Sequence, residues 1–393
     1  MIAEIIFWLC VFAVLHSYVL YPILLRMAAI GKKHNSLVFD TTDELPRLIV
    51  LMAVFNEEKV LQEKIDSIYN THYPLDKIYV AIGSDSSTDS TNDILEANKI
   101  RYPNFLPFYF KERSGKLKII NKLQHTLREE FADAVIVMTD ANVLFDANMF
   151  YQLAKHFKNE QIGLVGANVV NIGIKKTGIS LQEKSYVQRE NQIKYLEGLA
   201  FGAMTGAFGA CYAMRASLFV PIPDGNRADD LFLTMSVIRQ RKKAISEPEA
   251  ICFEDVPNDV DEEYRRKSRN ATSNFQNLFI FLGMLWPPYT GVAFCFFSHK
   301  VLRWIGPLFI ILAYFSNLAL LGQGNKFYVA TFIVQTVLLS APFVDKLLKG
   351  IGVHLVILRF VSYFYYMNLA LAAGFINYLK GDKRNVWQPT KRS

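Results

Sequence analysis

Carboxylates and amides recur immediately after short apolar runs in the middle of this chain. Residues 47–54 lead into Asn56-Glu57-Glu58, residues 77–82 into Asp85-Ser86-Ser87-Thr88-Asp89, and residues 134–138 into Asp140-Ala141-Asn142. Such side chains accept hydrogen bonds from N–H and O–H groups and can ligate a hard cation through oxygen. Taken singly, each has a plainer role. Asn56 suits the cap of a helix starting at Glu57, and the Ser/Thr/Asp stretch suits a capped turn. Asp229 and Asp230 stand side by side before residues 231–239. Their mutual repulsion can raise one pKa toward that of a useful base, and they equally suit a helix start. Arg266 and Arg269 are three apart, so a helix sets them on one face beside Lys267, ready for an anion or a membrane surface. Lys116 precedes a helical pattern over residues 117–127, either reaching into a site or standing in solvent. The small side chains of residues 202–213, which include Gly206 and Gly209, let another molecule approach the backbone or a neighbouring strand pack tightly.

These residues need elements to position them. The apolar runs, with a fourth at residues 105–110, alternate with polar helical stretches that begin at Glu57 and cover residues 91–99. That alternation predicts a mostly parallel sheet with helices on both faces. In such sheets ligands bind outside the carboxyl ends of the strands. The acidic and amide groups at successive strand ends are therefore expected to gather around one crevice, which weighs against the plainer reading of each.

The flanks are a different kind of polypeptide. The chain has 393 residues, 51% hydrophobic and 20% charged, with 30 phenylalanines, more apolar than an ordinary soluble domain. Its four cysteines exclude a disulfide-stapled scaffold. Residues 5–25 carry no formal charge and are followed by Arg26, Lys32 and Lys33. This predicts an N-terminal membrane anchor over residues 1–30 with its basic end in the cytoplasm. Four more uncharged runs follow, at residues 275–298, 304–321, 327–344 and 360–379. The first holds Gly283, Pro287, Pro288 and Gly291 and reads as interfacial or re-entrant. The next two form a hairpin within a membrane region at residues 299–380. A basic tail at residues 381–393 is expected in the cytoplasm, but one crossing by residues 360–379 would put it outside. Two arrangements therefore stay open: the last segment does not simply cross, or residues 275–298 do.

The ordered set Val54-Phe55-Asn56-Glu57-Glu58, Gly83 to Asp89, Arg113-Ser114-Gly115-Lys116, Thr139-Asp140-Ala141-Asn142, Ala228-Asp229-Asp230 and Arg265 to Arg269 resembles the membrane-bound family-2 glycosyltransferases. That group includes cellulose, hyaluronan and poly-N-acetylglucosamine synthases. The resemblance covers residues 47–274 in detail and implies an α/β GT-A catalytic domain, bounded here as residues 46–274. The flanks add the N-terminal transmembrane helix and the C-terminal interfacial and transmembrane helices. It further implies transfer of a sugar from a nucleotide-diphosphate sugar, expected to be a UDP-sugar, in polysaccharide or glycolipid synthesis. Asp140 and Asn142 match the DxD metal motif, with an amide in place of the second carboxylate, for Mg²⁺ or Mn²⁺. Asp85 matches the nucleotide-contacting aspartate, with Asn56, Glu57, Lys116 and Asp140 on the donor side. Asp230 matches the general base, with Asp229 its neighbour. Arg266 and Arg269 match the diphosphate-clamping segment, where Asn270 replaces the tryptophan of the polymerising relatives. Gly206 and Gly209 fall on the acceptor side.

The expected partners are the nucleotide sugar, a saccharide or lipid-linked acceptor and the bilayer, and not nucleic acid; protein partners are left unspecified. An alternative is single-sugar transfer onto a polyprenyl-phosphate or ceramide-type lipid. A non-enzymatic transporter or scaffold fits less well, because transporters usually carry more spans and internal repeats. The formal charge of +7 belongs to basic groups beside apolar runs, as in loops facing an anionic leaflet, rather than to a nucleic-acid surface.

Overall fold

The computed structural model describes residues 1–40, 42–174, 178–256 and 258–381. Of the basic tail expected at residues 381–393, residues 382–393 lie outside the described residues. Two units are distinguishable, residues 28–174 with 186–256, and residues 1–27 with 178–185 and 258–381.

The chain opens with α1 (Ile2–Leu15), a π-helical stretch at His16–Leu20, and α2 (Tyr21–Ala29). Together they make one apolar helix of 28 residues, long enough to cross a bilayer. The segment after it is bound into the α/β unit. The Phe39 N–H donates to the Lys155 carbonyl at 2.8 Å, and the Phe39 carbonyl accepts from the Tyr151 hydroxyl at 3.0 Å. Asp43 pairs with Lys158 at 2.7 Å.

Within that unit β1 (Leu48–Val54), α3 (Leu61–Tyr69), β2 (Ile78–Asp85), α4 (Thr91–Arg101), β3 (Phe105–Phe110), α5 (Lys116–Leu127) and β4 (Val135–Thr139) alternate as the apolar runs predict. They are followed by β5 (Val143–Phe145), α6 (Met149–Ala154), β6 (Ile162–Ile172), α7 (Ser180–Phe201), β7 (Cys211–Arg215), α8 (Asp229–Arg239) and β8 (Lys243–Asp255). Among the described residues the sheet has eight strands in the order β3-β2-β1-β4-β7-β6-β8-β5. β4 is buried along its whole length and β1 nearly so, which is why both read as unbroken apolar runs. α3 covers the sheet with Leu61, Ile65 and Ile68, and α5 with Ile119, Ile120, Leu123 and Leu127.

The strands β3-β2-β1-β4 pair in parallel, as strand–helix alternation demands. Beyond β4 the sheet turns mixed, because β7 runs antiparallel to both β4 and β6, and β5 antiparallel to β8. Direction here follows from where the long α7 returns the chain, which local periodicity does not encode. The reversal matters for the site. Cys211 at the start of β7 lies opposite Thr139 at the end of β4. The glycine-rich residues entering β7 therefore arrive at the edge where β4 stops.

In the other unit α9 (Val260–Ile280) starts at an Asp259 cap that accepts from the Asp261 and Glu262 N–H groups at 2.7 and 3.2 Å. It runs past residue 274 without a break. Gly283, Pro287, Pro288 and Gly291 then interrupt the apolar run into a short 3₁₀ turn and α10 (Gly291–Cys295). A π-helical stretch at Phe296–Val301 and α11 (Leu302–Trp304) lead into α12 (Gly306–Leu320), α13 (Lys326–Gly350) and α14 (Val356–Leu379). Among the described residues, four helices are long and apolar enough to cross a membrane: Ile2–Ala29, Gly306–Gln323, Lys326–Gly350 and Val356–Leu379. The run at residues 275–298 is not one of them.

α14 and α9 meet at Gly374. A Cβ at this position would meet the Ala271 methyl and stand 2.9 Å from the Ser268 carbonyl oxygen, both on α9. Gly374→Val is therefore expected to lower stability by about 1–3 kcal/mol through overpacking. Thermal unfolding of the detergent-solubilised chain measures this, and an unchanged midpoint would show that the helices do not pack this closely.

Candidate functional site

The loops after β1 and β2 are laced together by side-chain-to-backbone bonds. Asn56 takes a left-handed backbone conformation at φ 52°, one that a short polar side chain tolerates better than most. Its Oδ1 accepts from the Thr88 N–H at 2.8 Å, and its own N–H donates to Ser87 Oγ at 3.2 Å. The Glu57 N–H donates to Thr91 Oγ1 at 2.9 Å, while Glu58 Oε2 accepts from the Ser90 N–H at 3.0 Å. α3 begins only at Leu61, so Asn56 ties two loops together rather than capping that helix.

Asp85, the last residue of β2, is almost fully buried. Its two oxygens accept from the Ser114 and Gly115 N–H groups at 2.7 and 2.8 Å. The Arg113 guanidinium lies 3.8 Å from the same carboxylate and 3.2 Å from the centre of the Phe55 ring. This turn can form because Gly115 sits at φ 89°, where a side chain would be strained. Asp85 thus orients the start of α5, and α5 opens with Lys116.

Lys116 is the hub of the site. Its Nζ is 2.7 Å from Asp140 Oδ1 and 3.6 Å from Asp229 Oδ2. Burial acts to lower the Lys116 pKa, but Asp140, Asp229 and Asp230 outweigh it and hold the ammonium charged. Asp229 has the opposite balance: burial pushes it up to about 6, with Lys116 opposing and Asp230 and Asp140 adding repulsion. The buried Tyr212 hydroxyl donates to Asp229 Oδ2 at 3.4 Å.

Asp229 and Asp230 are themselves the first residues of α8, where the helix dipole favours negative charge. Asp230 is only half-buried. A Cβ on Gly209 would stand 3.4 Å from Asp230 Oδ2, so the glycine keeps space open over that carboxylate. Gly206 precedes it at φ 95°, against Leu231. Asp140 and Asn142 lie in the loop after β4 and Gly209 in the loop before β7, while Lys116 opens α5 and Asp229 and Asp230 open α8. The oxygen donor set suits a hard divalent cation: the Asp140 carboxylate, which already pairs with the Lys116 ammonium, and the Asn142 amide two positions on.

Arg266 and Arg269 lie on α9 in the other unit. There Arg266 pairs with Glu183 at 3.1 Å and with Glu263 at 2.9 Å, and Lys267 with the same two carboxylates at 3.3 and 3.2 Å. The Tyr363 hydroxyl also bonds Glu183. Burial pushes Glu263 up, and the two cations more than reverse it.

One trio of His, Cys, Asp or Glu side chains among the described residues closes to within 4.8 Å, His34 with His156 and Glu247. Asn35 Nδ2 donates to His156 Nδ1 at 3.1 Å, so the ring carries its proton on Nε2 and donates it to Glu247 Oε2 at 2.6 Å. Lys155 Nζ is 3.1 Å from the same oxygen. Those bonds use the lone pairs a cation would need, and the trio serves as a clasp for residues 34–43.

Sequence reasoning missed Tyr212, the Arg113–Phe55 pair and Lys64. The last could have been flagged, since Lys64 falls on the buried face of α3 between Leu61 and Ile65.

Residues 49–220 match the family described as Glycosyl transferase family 2, and residues 135–377 match Glycosyl transferase family group 2. Over 242 residues the chain is 24% identical to Probable glycosyltransferase YdaM of Bacillus subtilis (strain 168), covering 59% of this chain and 56% of the relative. It is likewise 24% identical over 242 residues to Poly-beta-1,6-N-acetyl-D-glucosamine synthase of Staphylococcus aureus (strain COL), covering 60% and 56%. The chain thus spans about half the length of the curated relatives it matches. A solved structure of mannosyltransferase PcManGT from Pyrobaculum calidifontis, in complex with GDP-Man and Mn²⁺, superposes with a TM-score of 0.72. The match has 20% identity and covers 97% of this chain and 99% of that one, so it establishes the fold.

Asp85→Asn would present one carbonyl oxygen to two buried N–H groups. It is expected to lower stability by about 1–3 kcal/mol, the cost of a buried donor left unpaired. Chemical unfolding checks this, and an unaltered midpoint would mean that Asp85 does not hold the Ser114-Gly115 turn.

Proposed function

Since this chain belongs to the family-2 glycosyltransferases, enzymes that transfer sugar from a nucleotide-sugar donor, we propose an inverting, metal-dependent transfer to a saccharide or lipid-linked acceptor at the membrane. The observation that carries this reading is Lys116 bridging Asp140 and Asp229 at 2.7 and 3.6 Å. One cation joins the donor-side loop to the acid pair.

We assign the donor crevice to the ends of β1, β2 and β4, with Asn56, Glu57, Asp85 and Lys116 around the nucleotide. The first donor to test is a UDP-sugar; the structurally similar mannosyltransferase holding GDP-Man makes GDP-sugars the second. Asp140 and Asn142 would hold Mg²⁺ or Mn²⁺, whose charge, when bound, neutralises the leaving diphosphate. Lys116 adds a positive charge at the same place. Asp230, half-buried and faced by the open space at Gly209, takes the proton of the acceptor hydroxyl as the oxygen attacks the anomeric carbon. Asp229 stays beside it, held by Tyr212 and Lys116. One in-line displacement inverts that carbon.

Arg266 and Arg269 are assigned to the leaving diphosphate, which would require Arg266 to exchange carboxylate partners for phosphate oxygens. Asn270, standing where polymerising relatives place tryptophan, favours single-sugar addition as the second reading. We assign the α/β unit to the cytoplasm, on the side of Arg26, Lys32 and Lys33.

The deciding experiment is turnover of the purified full chain against a panel of UDP- and GDP-sugars, with product mass analysis and with Mn²⁺, Mg²⁺ or EDTA. Turnover that survives EDTA would remove the metal from this reading. For wild type, kcat/KM should have an acid limb near pH 6, rising with pH as Asp229, pushed up to about 6 by burial, loses its proton. Asp230→Asn should lower kcat by about 10²–10⁴ with nucleotide affinity preserved. Turnover close to wild type in this variant would dismiss Asp230 as the base.

A further inference from the structure

Lys64 is fully buried and has no part in the chemistry above, and burial pulls its pKa down to about 7. An ammonium in a core is costly unless every N–H is used, and here each has a partner. Nζ donates to Thr139 Oγ1 at 3.0 Å and to the Val143 carbonyl at 2.6 Å, and it lies 3.3 Å from the centre of the Phe145 ring. Thr139 and Val143 are the residues on either side of Asp140-Ala141-Asn142. The Thr139 hydroxyl, having accepted from Lys64, donates onward to the Ala210 carbonyl at 2.9 Å. Ala210 is the neighbour of Gly209, which faces Asp230.

We propose that Lys64 is a positioning residue that clasps the two flanks of the Asp140–Asn142 loop and, through the Thr139 hydroxyl, registers that loop against the acceptor-side segment at Gly209-Ala210. The inference rests on Asp140 and Asn142 being the metal loop. A loop with one carboxylate and one amide attracts a dication less strongly than one with two carboxylates, so its affinity depends more on holding both oxygens in place. A buried methionine of similar length would fill the α3 face and lack both hydrogen bonds and the cation–π contact.

The sign of the effect separates positioning from simple electrostatics. In its protonated form Lys64 repels a bound dication, so on Coulomb's law alone its removal would leave binding unchanged or tighter. Removal of a group that orients ligands weakens it, typically by about 10–100-fold.

The test uses the full chain in detergent. Mn²⁺ is titrated in the presence of saturating UDP or GDP, with free Mn²⁺ followed by electron paramagnetic resonance, and nucleotide affinity is measured separately in EDTA. Lys64→Met is expected to weaken Mn²⁺ about 10–100-fold and to leave the EDTA nucleotide affinity unchanged. Thr139→Val, which keeps the shape and removes the hydroxyl, should weaken Mn²⁺ in the same direction. The double variant should be no worse than Lys64→Met, because the two act through one connection. Unchanged or tighter Mn²⁺ binding in a Lys64→Met chain that still binds nucleotide would overturn the proposal. If that variant does not fold, unchanged Mn²⁺ affinity in Thr139→Val overturns it instead. Wild-type chain that binds nucleotide but no Mn²⁺ would show that the metal reading itself had failed, and this inference with it.

Discussion

Carboxylates gathered in a partly buried crevice must share a cation or take up protons, and here a shared cation organises the site of the α/β unit. Asp140 and Asp229 come from opposite halves of the sheet and meet across the Lys116 ammonium. Each partner arrives by a different route. Asp140 follows a parallel strand buried along its whole length, Asp229 opens a helix, and Lys116 is aimed by a turn whose N–H groups end on the buried Asp85. The bonds between Asn56 and the Thr88 loop steady the same edge from the far side. The resulting balance leaves Lys116 charged and lifts Asp229 to about 6. A carboxyl group that titrates near pH 6 and a fixed positive charge thus come from one arrangement.

The strand-end residues were legible because their signals are local. Apolar runs predict β1 to β4, and side chains just past a parallel strand have only one place to go. The Asp229-Asp230 pair was legible for a similar reason, standing where a helical pattern begins. What the sequence did not reveal depends on contacts distant along the chain. Tyr212 meets Asp229 from β7, a strand whose antiparallel direction is set by the path of α7. Lys64 reaches the flanks of a loop 75 and 79 residues further along the chain. Its helical spacing placed it on a buried face, but nothing local named the acceptors waiting there. The sheet is mixed rather than mostly parallel for the same physical reason.

In the other unit charge is handled by burial in pairs. Arg266 and Lys267 face Glu183 and Glu263, and Tyr363 adds a hydroxyl. Three apart on a helix was enough to predict that Arg266 and Arg269 share a face. It could not predict two nearly inaccessible carboxylates as the partners of Arg266. Four charges of alternating sign in one cluster are strongly interdependent, since removing any one leaves another buried and unbalanced. The excess of apolar residues, by contrast, has a simple destination in the four long helices.

The clasp around His34, Asn35, Phe39 and Asp43 bears on how this molecule can be taken apart. Local pattern begins the catalytic region at residue 46, just before the first strand. Yet the preceding segment supplies the partner of His156, a bond to the Ser246 carbonyl at 3.3 Å, and a pair of backbone connections to Tyr151 and Lys155. A fragment cut at residue 46 would expose the buried His156–Glu247 couple to water and strip α6 of its covering strand of chain. An expression fragment designed to retain the native α/β surface therefore has to start before His34, within a few residues of the helix that precedes it.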